Sequence, residues 1–148
     1  MKKLIHALLA LAAASPALAE DITYSKHIRP LWDDKCERCH GTSAPPYEVF
    51  LKDKKTFELD DKGPRMDSYE SFVFFLTGPQ AGALMQRLDD GSNTRDGQPG
   101  NMYRHLGRGE QRKENLQLFK QWIGEEAWTT KKQAELGKED LQKIKAAR

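Results

Sequence analysis

Apolar residues in this chain recur at the three-and-four spacing of helices rather than the two-residue alternation of strands. Between Ile22 and Cys36 the stripe is Ile28, Leu31 and Trp32. Pro30 interrupts it, so it either opens the helix at its first position or kinks a longer one. A second helix runs through Phe72, Phe74, Phe75 and Leu76, capped by Asp67 or Ser68 and ended by Gly78-Pro79. Its aromatic run is too continuous for a solvated face; it is core, or the wall of a bound group. Gln80 to Leu88 predicts a short helix with Ala81, Leu84, Met85 and Leu88 at helical spacing. From Glu110 a longer helix carries Leu116, Phe119 and Ile123, its stripe widened by Leu118 and Trp122. The fold class these patterns predict is all-α.

The connections are polar. Gly41 to Pro46 is a turn, residues 47–64 are mixed and charged with room for a short helix, and Asp89 to Gly100 is a long turn with three glycines and Pro99. After Trp128 the tail is basic on balance and only weakly amphipathic. It is expected as a frayed terminal helix, with partner docking as the alternative.

The first nineteen residues depart from this pattern. Lys2 and Lys3 precede an apolar run from Leu4 to Ala14, and Ala17-Leu18-Ala19 ends the segment with small residues, which is the plan of a signal peptide. The run is short for a membrane span, although an uncleaved anchor is the alternative. The expected organisation is therefore 1–19 signal peptide, 20–128 folded domain and 129–148 charged tail, in a mature protein that starts at Glu20 and is soluble in the periplasm. Removing Lys2 and Lys3 from the 24 basic residues leaves them equal to the 22 acidic ones, so no basic surface argues for nucleic acid.

The chemistry is concentrated in Cys36-Glu37-Arg38-Cys39-His40, the only C-x-x-C-H of the chain. This is the attachment pattern of a c-type haem. Two thiols three residues apart on one helical turn reach the two vinyl groups of one porphyrin, and His40 is then carried beneath the iron, where neutral imidazole is a suitable ligand. A disulfide, a thiol-redox site and zinc are the rival uses. The redox site lacks a surrounding βαβ pattern, and zinc lacks a second cysteine pair. One haem c is the expected cofactor. The chain is hydrophilic, with a mean hydropathy of −0.77. A buried haem would supply apolar volume, so the apo-protein is expected to fold poorly.

The ligand on the opposite face of the iron decides what such a centre does. Met66, Met85, Met102, His27 and His105 are the candidates. Met85 falls at core spacing, where methionine is packing. His27 belongs to the charged side of its helix. Met66 lies in a Pro/Gly loop, and Met102 follows the glycine-rich turn and precedes the last helix, free to swing over the haem. From Met102 through Glu110-Gln111-Arg112-Lys113-Glu114-Asn115-Leu116 to Phe119 and Trp122 the chain resembles the distal ligand and C-terminal helix of class I cytochromes c. With C-x-x-C-H included, the resemblance covers Ile22 to Trp128. It implies a small helical domain wrapped around one covalent haem, with His40 and Met102 as axial ligands. It also implies a one-electron carrier rather than an enzyme. Its partners would be a membrane dehydrogenase or quinol-oxidising complex on one side and a terminal reductase or oxidase on the other.

Three features depart from that family. The glycine-aromatic pair of the first helix is absent, so Ile28, Leu31 and Trp32 must do its packing. The Gly-Pro that supports the proximal histidine is missing at its customary distance, although Pro45 and Pro46 come earlier, and a carbonyl within Gly41–Pro46 is expected to accept the outer N–H of His40. Residues 47–98 follow no family pattern. Arg65, Arg87, Arg104 and Tyr103 are candidates for the haem propionates, with ordinary surface placement as the alternative. Two rival functions stay open: a haem enzyme or gas-binding protein with an open distal face, and a haem subunit docked on a larger complex through Phe72–Leu76 or the basic tail.

Overall fold

Pro30 stands in the first turn of helix α1 (Arg29–Lys35), where its missing N–H leaves no hydrogen bond unmade. The chain enters α1 through a π-helical turn, Tyr24–Ile28, capped by the Thr23 side chain. The computed structural model describes residues 21–148; the signal-peptide reading of residues 1–19 lies outside the described residues. The elements that follow are α2 (Glu37–His40), α3 (Tyr47–Lys52), α4 (Lys54–Leu59), α5 (Tyr69–Leu76), α6 (Ala83–Leu88), α7 (Gly109–Ile123) and α8 (Lys138–Gln142). A 3₁₀ turn, Tyr103–Leu106, precedes α7. Among the described residues there is no strand, as the apolar spacing predicts.

Ser68 caps α5, accepting the N–H of Ser71, one of the two residues expected there. The core gathers Ile28 and Trp32, Phe72 and Leu76 of α5, Met85 of α6, and Leu116, Phe119, Trp122 and Ile123 of α7. Phe72 stands edge-on to Trp122 with ring centroids 5.9 Å apart, and Tyr24 packs on both. This aromatic cluster joins the N-terminal turn to α7. Edge-to-face rings of this kind each add about 0.5–1.5 kcal/mol beyond the area they bury.

The tail departs from the frayed helix expected of it. The N–H groups of Lys145 and Ala146 donate to the carbonyls of Ile123 and Trp122, both at 2.9 Å. Those are terminal carbonyls of α7, which have no partner inside their own helix. The Ala147 carbonyl in turn accepts from the Tyr24 N–H and the Trp122 indole N–H, each at 2.8 Å, and the Ala146 carbonyl accepts the Tyr69 hydroxyl at 3.0 Å. Residues 143–147 therefore close the end of α7 and bind it to the N-terminal turn.

Candidate functional site

The motif begins where α1 ends. Cys36 leaves the helical conformation at φ −122° while its N–H still donates to Trp32, and α2 restarts the chain at once. The N–H groups of Cys39 and His40 both donate to the Cys36 carbonyl, at 3.1 and 3.0 Å. One turn thus presents both sulfurs, with the imidazole following. The two cysteines are unpaired and half-buried. Burial first, then Cys39 and Asp34, push the Cys36 thiol up to about 12. A thiol-redox centre needs a lowered thiol, so this environment argues against that use.

His40 is held from the far side. Its Nδ1–H donates to the Pro64 carbonyl at 2.7 Å, which leaves the Nε2 lone pair as the ligating position. Burial lowers its pKa most; the positive fields of His105 and Arg87 act in the same direction, and the bond to Pro64 opposes them. The ring is kept neutral, as ligation requires. Gly63 packs against it: a Cβ there would lie 2.1 Å from His40 Cε1. The Gly63 N–H donates to the Cys39 carbonyl at 2.9 Å, and the Met66 N–H to the His40 carbonyl at 2.8 Å.

The acceptor for His40 is therefore not in Gly41–Pro46, where it was expected. It is Pro64, 24 residues beyond the histidine. Helices α3 and α4 lie between the motif and Gly63-Pro64, so the dipeptide is far from His40 in sequence and beside the ring in space. The dipeptide itself was the available signal.

The fields of His105, on the 3₁₀ turn that follows Met102, and of Arg87, on α6, both lower the His40 pKa. The Met102 N–H donates to the Arg87 carbonyl at 2.9 Å, at the end of α6, and the His105 N–H donates to Met102 at 2.9 Å. Gly100 passes so close to α6 that a Cβ would meet the carbonyls of Gln86 and Arg87 at 2.3 Å. Met102 is half-buried against the core.

The other candidates are placed differently. Met66 is buried in the core cluster on the Gly63–Met66 loop, and Met85 is wholly enclosed. His27 accepts the Thr23 N–H through Nδ1 at 3.1 Å, a local cap of the first turn. His105 is exposed and its Nε2 accepts from Arg104 at 3.1 Å. Of the propionate candidates, Arg65 is paired with Asp67 at 2.6 Å, Tyr103 lies under the Arg112 guanidinium, and Arg87 donates to the neutral Asn101 at 3.1 Å. Two residues went unnoticed in the sequence besides Gly63 and Pro64. Asp89 is fully buried, and Trp128 donates to it at 2.7 Å.

A covalent haem fits this donor set. Two unpaired thiols share a turn, an imidazole has its outer nitrogen bonded, a glycine lies against the ring, and the Met102 thioether is half-buried against the core. The Trp32 indole N–H, close before Cys36 in sequence, is buried without a partner, a donor that a bound polar group would satisfy.

Comparison with known proteins agrees. A family model described as PccH cytochrome c matches residues 23–147. The solved structure of the monohaem cytochrome PccH from Geobacter sulfurreducens is 43% identical, covers 87% of this chain and all of its own, and superposes with a TM-score of 0.79. No functionally curated protein matches the chain. The matches span the whole helical unit, including the tail that closes α7. The chain belongs to the PccH cytochrome c family: it is a monohaem c-type cytochrome of all-α, cytochrome c-like fold, with one covalently attached haem.

Proposed function

We propose that the protein is a soluble periplasmic one-electron carrier with histidine–methionine axial ligation. Cys36 and Cys39 form the thioether links, His40 is the proximal ligand and Met102 the distal one. Haem-based electron transfer follows from the family; the ligand set is read from this chain. The observation that carries it is that each of the two segments is anchored. His40 is oriented by Pro64 through its Nδ1–H, while Met102 is fixed by its backbone N–H to the Arg87 carbonyl at the end of α6 and leads into the turn that carries His105.

The bound haem supplies a one-electron iron couple, and a thioether opposite imidazole raises its potential by favouring the ferrous state. The protein's part is to keep both ligands in place through the cycle. Met66, tied to the proximal loop and buried, has no route to the far face without unpacking the core. An iron with a protein ligand on each side has no vacancy for substrate, which favours the carrier over a haem enzyme. No helix among the described residues is long and apolar enough to cross a membrane. The partners are redox proteins, with a membrane dehydrogenase or quinol-oxidising complex as donor and a terminal reductase or oxidase as acceptor.

The test is Met102→Ala against His105→Ala in the holo-protein. Met102→Ala is expected to abolish the far-red sulfur-to-iron band of the oxidised protein, to let the reduced protein bind carbon monoxide, and to shift the potential. His105→Ala is expected to keep the parental spectrum. A Met102→Ala protein with the parent's spectrum and potential would remove Met102 from the role.

A further inference from the structure

Asp89 is the only charged residue that is fully buried among the described residues. A carboxylate is expensive to take out of water unless hydrogen bonds replace its hydration. Here four donors do so. Oδ1 accepts the N–H groups of Gly91 and Asn93 at 2.8 and 3.3 Å; Oδ2 accepts Asn93 Nδ2 at 2.9 Å and Trp128 Nε1 at 2.7 Å. Asn93 is tied a second time, its carbonyl accepting the Thr130 hydroxyl.

The partners explain the placement. Gly91 and Asn93 open the long loop that ends at Gly100; Trp128 and Thr130 come from beyond α7, and Lys120 of α7 lies over the Trp128 ring at 5.5 Å. The loop is thus gripped between the end of α6 and the segment after α7. Its return is fixed as well: the Gly100 N–H donates to the Asp89 backbone carbonyl at 2.8 Å, two residues before Met102 donates to Arg87. One residue holds both ends of the loop, the outgoing one by its side chain and the incoming one by its carbonyl.

We infer that Asp89 is the positioning residue of the distal ligand: its carboxylate clamps the 89–100 loop to Trp128, so that Met102 returns to the end of α6 in a single place. This rests on Met102 as the ligand. The Asp89 side chain bonds to Gly91, Asn93 and Trp128, so its part is to set how often the thioether is in reach. Ferric iron, harder than ferrous, holds a soft thioether less firmly, so a loosened loop releases it first in the oxidised protein.

The experiment is titration of the oxidised holo-protein with imidazole. The added nitrogen bonds to iron as the Met102 sulfur leaves, with no change of oxidation state, so apparent affinity reports the fraction of time Met102 is away. Asp89→Asn keeps the shape but removes the charge and turns an N–H₂ toward two donors, whichever oxygen it replaces. Losing those hydrogen bonds is expected to raise imidazole affinity about tenfold or more. Trp128→Phe removes one donor and is expected to raise it in the same direction. Should Asp89→Asn not accumulate as holo-protein, Trp128→Phe carries the same test.

In a Met102→Ala background, where nothing is left to position, Asp89→Asn is expected to change nothing. Parental affinity in Asp89→Asn or Trp128→Phe, beside a parent that shows the far-red band, overturns the positioning role and leaves Met102 as the ligand. An equal gain in the Met102→Ala background overturns it too. A parent without the band, whose imidazole affinity Met102→Ala does not alter, fails the ligand assignment itself.

Discussion

Gly63→Ala puts the proximal geometry to its sharpest test. The added methyl would lie 2.1 Å from His40 Cε1, 2.6 Å from Nδ1 and 2.8 Å from Nε2, all inside van der Waals contact. Neither side can step back cheaply. The Gly63 backbone is tied to Cys39 at 2.9 Å, and the imidazole is tied to Pro64, the very next residue, at 2.7 Å. Relief requires the ring to turn, and turning breaks the Nδ1–H bond. Overpacking of this kind costs about 1–3 kcal/mol, and leaving a buried donor unmade adds about 1–3 kcal/mol.

The expected loss in the holo-protein is therefore about 2–6 kcal/mol. For a domain of this size that corresponds to a fall in Tm of roughly ten degrees or more. The assay is thermal unfolding of the oxidised holo-protein followed at the haem absorbance, with the reduction potential measured alongside, because a turned imidazole changes the iron's ligand field. Pro64→Ala is the control: it keeps the carbonyl that accepts from His40 and is expected to lose only the restriction proline places on the unfolded chain, about 0.4–1 kcal/mol. A Gly63→Ala protein with the parent's Tm and potential would refute the reasoning.

Other outcomes follow from the same contacts. Gly100→Ala, whose methyl would meet two α6 carbonyls at 2.3 Å, is expected to weaken the far-red band. Gly97→Ala has open space around its Cβ but a φ of +69°, so it is expected to lower Tm by the strain of a left-handed residue, about 1–2 kcal/mol, with the band unchanged. Trp122→Phe removes the donor to Ala147 and part of the aromatic cluster; proteolysis near residues 143–148 is expected to quicken, read by mass spectrometry of timed digests. Asp67 is held below the usual carboxylate range chiefly by Arg65, so it contributes stability above its unfolded pKa that is lost as pH falls through the folded value; Asp67→Asn is expected to flatten the drop in Tm below about pH 4.

The sequence made legible whatever rests on apolar spacing or on a local motif. Phe72 to Leu76, the α7 stripe and Cys36–His40 all fall where their patterns predict, because each is decided within a few turns of helix. Gly63-Pro64 escaped because its meaning lies across an insertion. Phe50 and Phe57 of α3 and α4 pack on each other with centroids 6.2 Å apart, and this small unit displaces the dipeptide in sequence without moving it from the ring. The tail escaped for another reason. It docks through backbone carbonyls and N–H groups, which every residue carries, so composition gives no sign of it. Asp89 looked like the first residue of a polar turn; only the return of Trp128 from beyond α7 shows the turn to be closed around it.

On the proposed His40–Met102 ligation, the two arms are built to different strengths. The histidine arm is part of the covalent motif, on a helical turn whose His40 N–H and carbonyl are both engaged, and its ring is bonded besides. The methionine arm hangs on the end of α6, on Gly100 fitted against that end, and on one buried carboxylate. A thioether bound to ferric iron is already the weaker bond. Under that ligation the arm with the weaker bond would be the one held only by hydrogen bonds and close packing, and the long loop between α6 and Met102 would set how firmly the iron is closed. The proposed carrier needs that closure in both oxidation states, and on that reading it is what burying a charge as costly as Asp89 there, rather than leaving the turn to solvent, would secure.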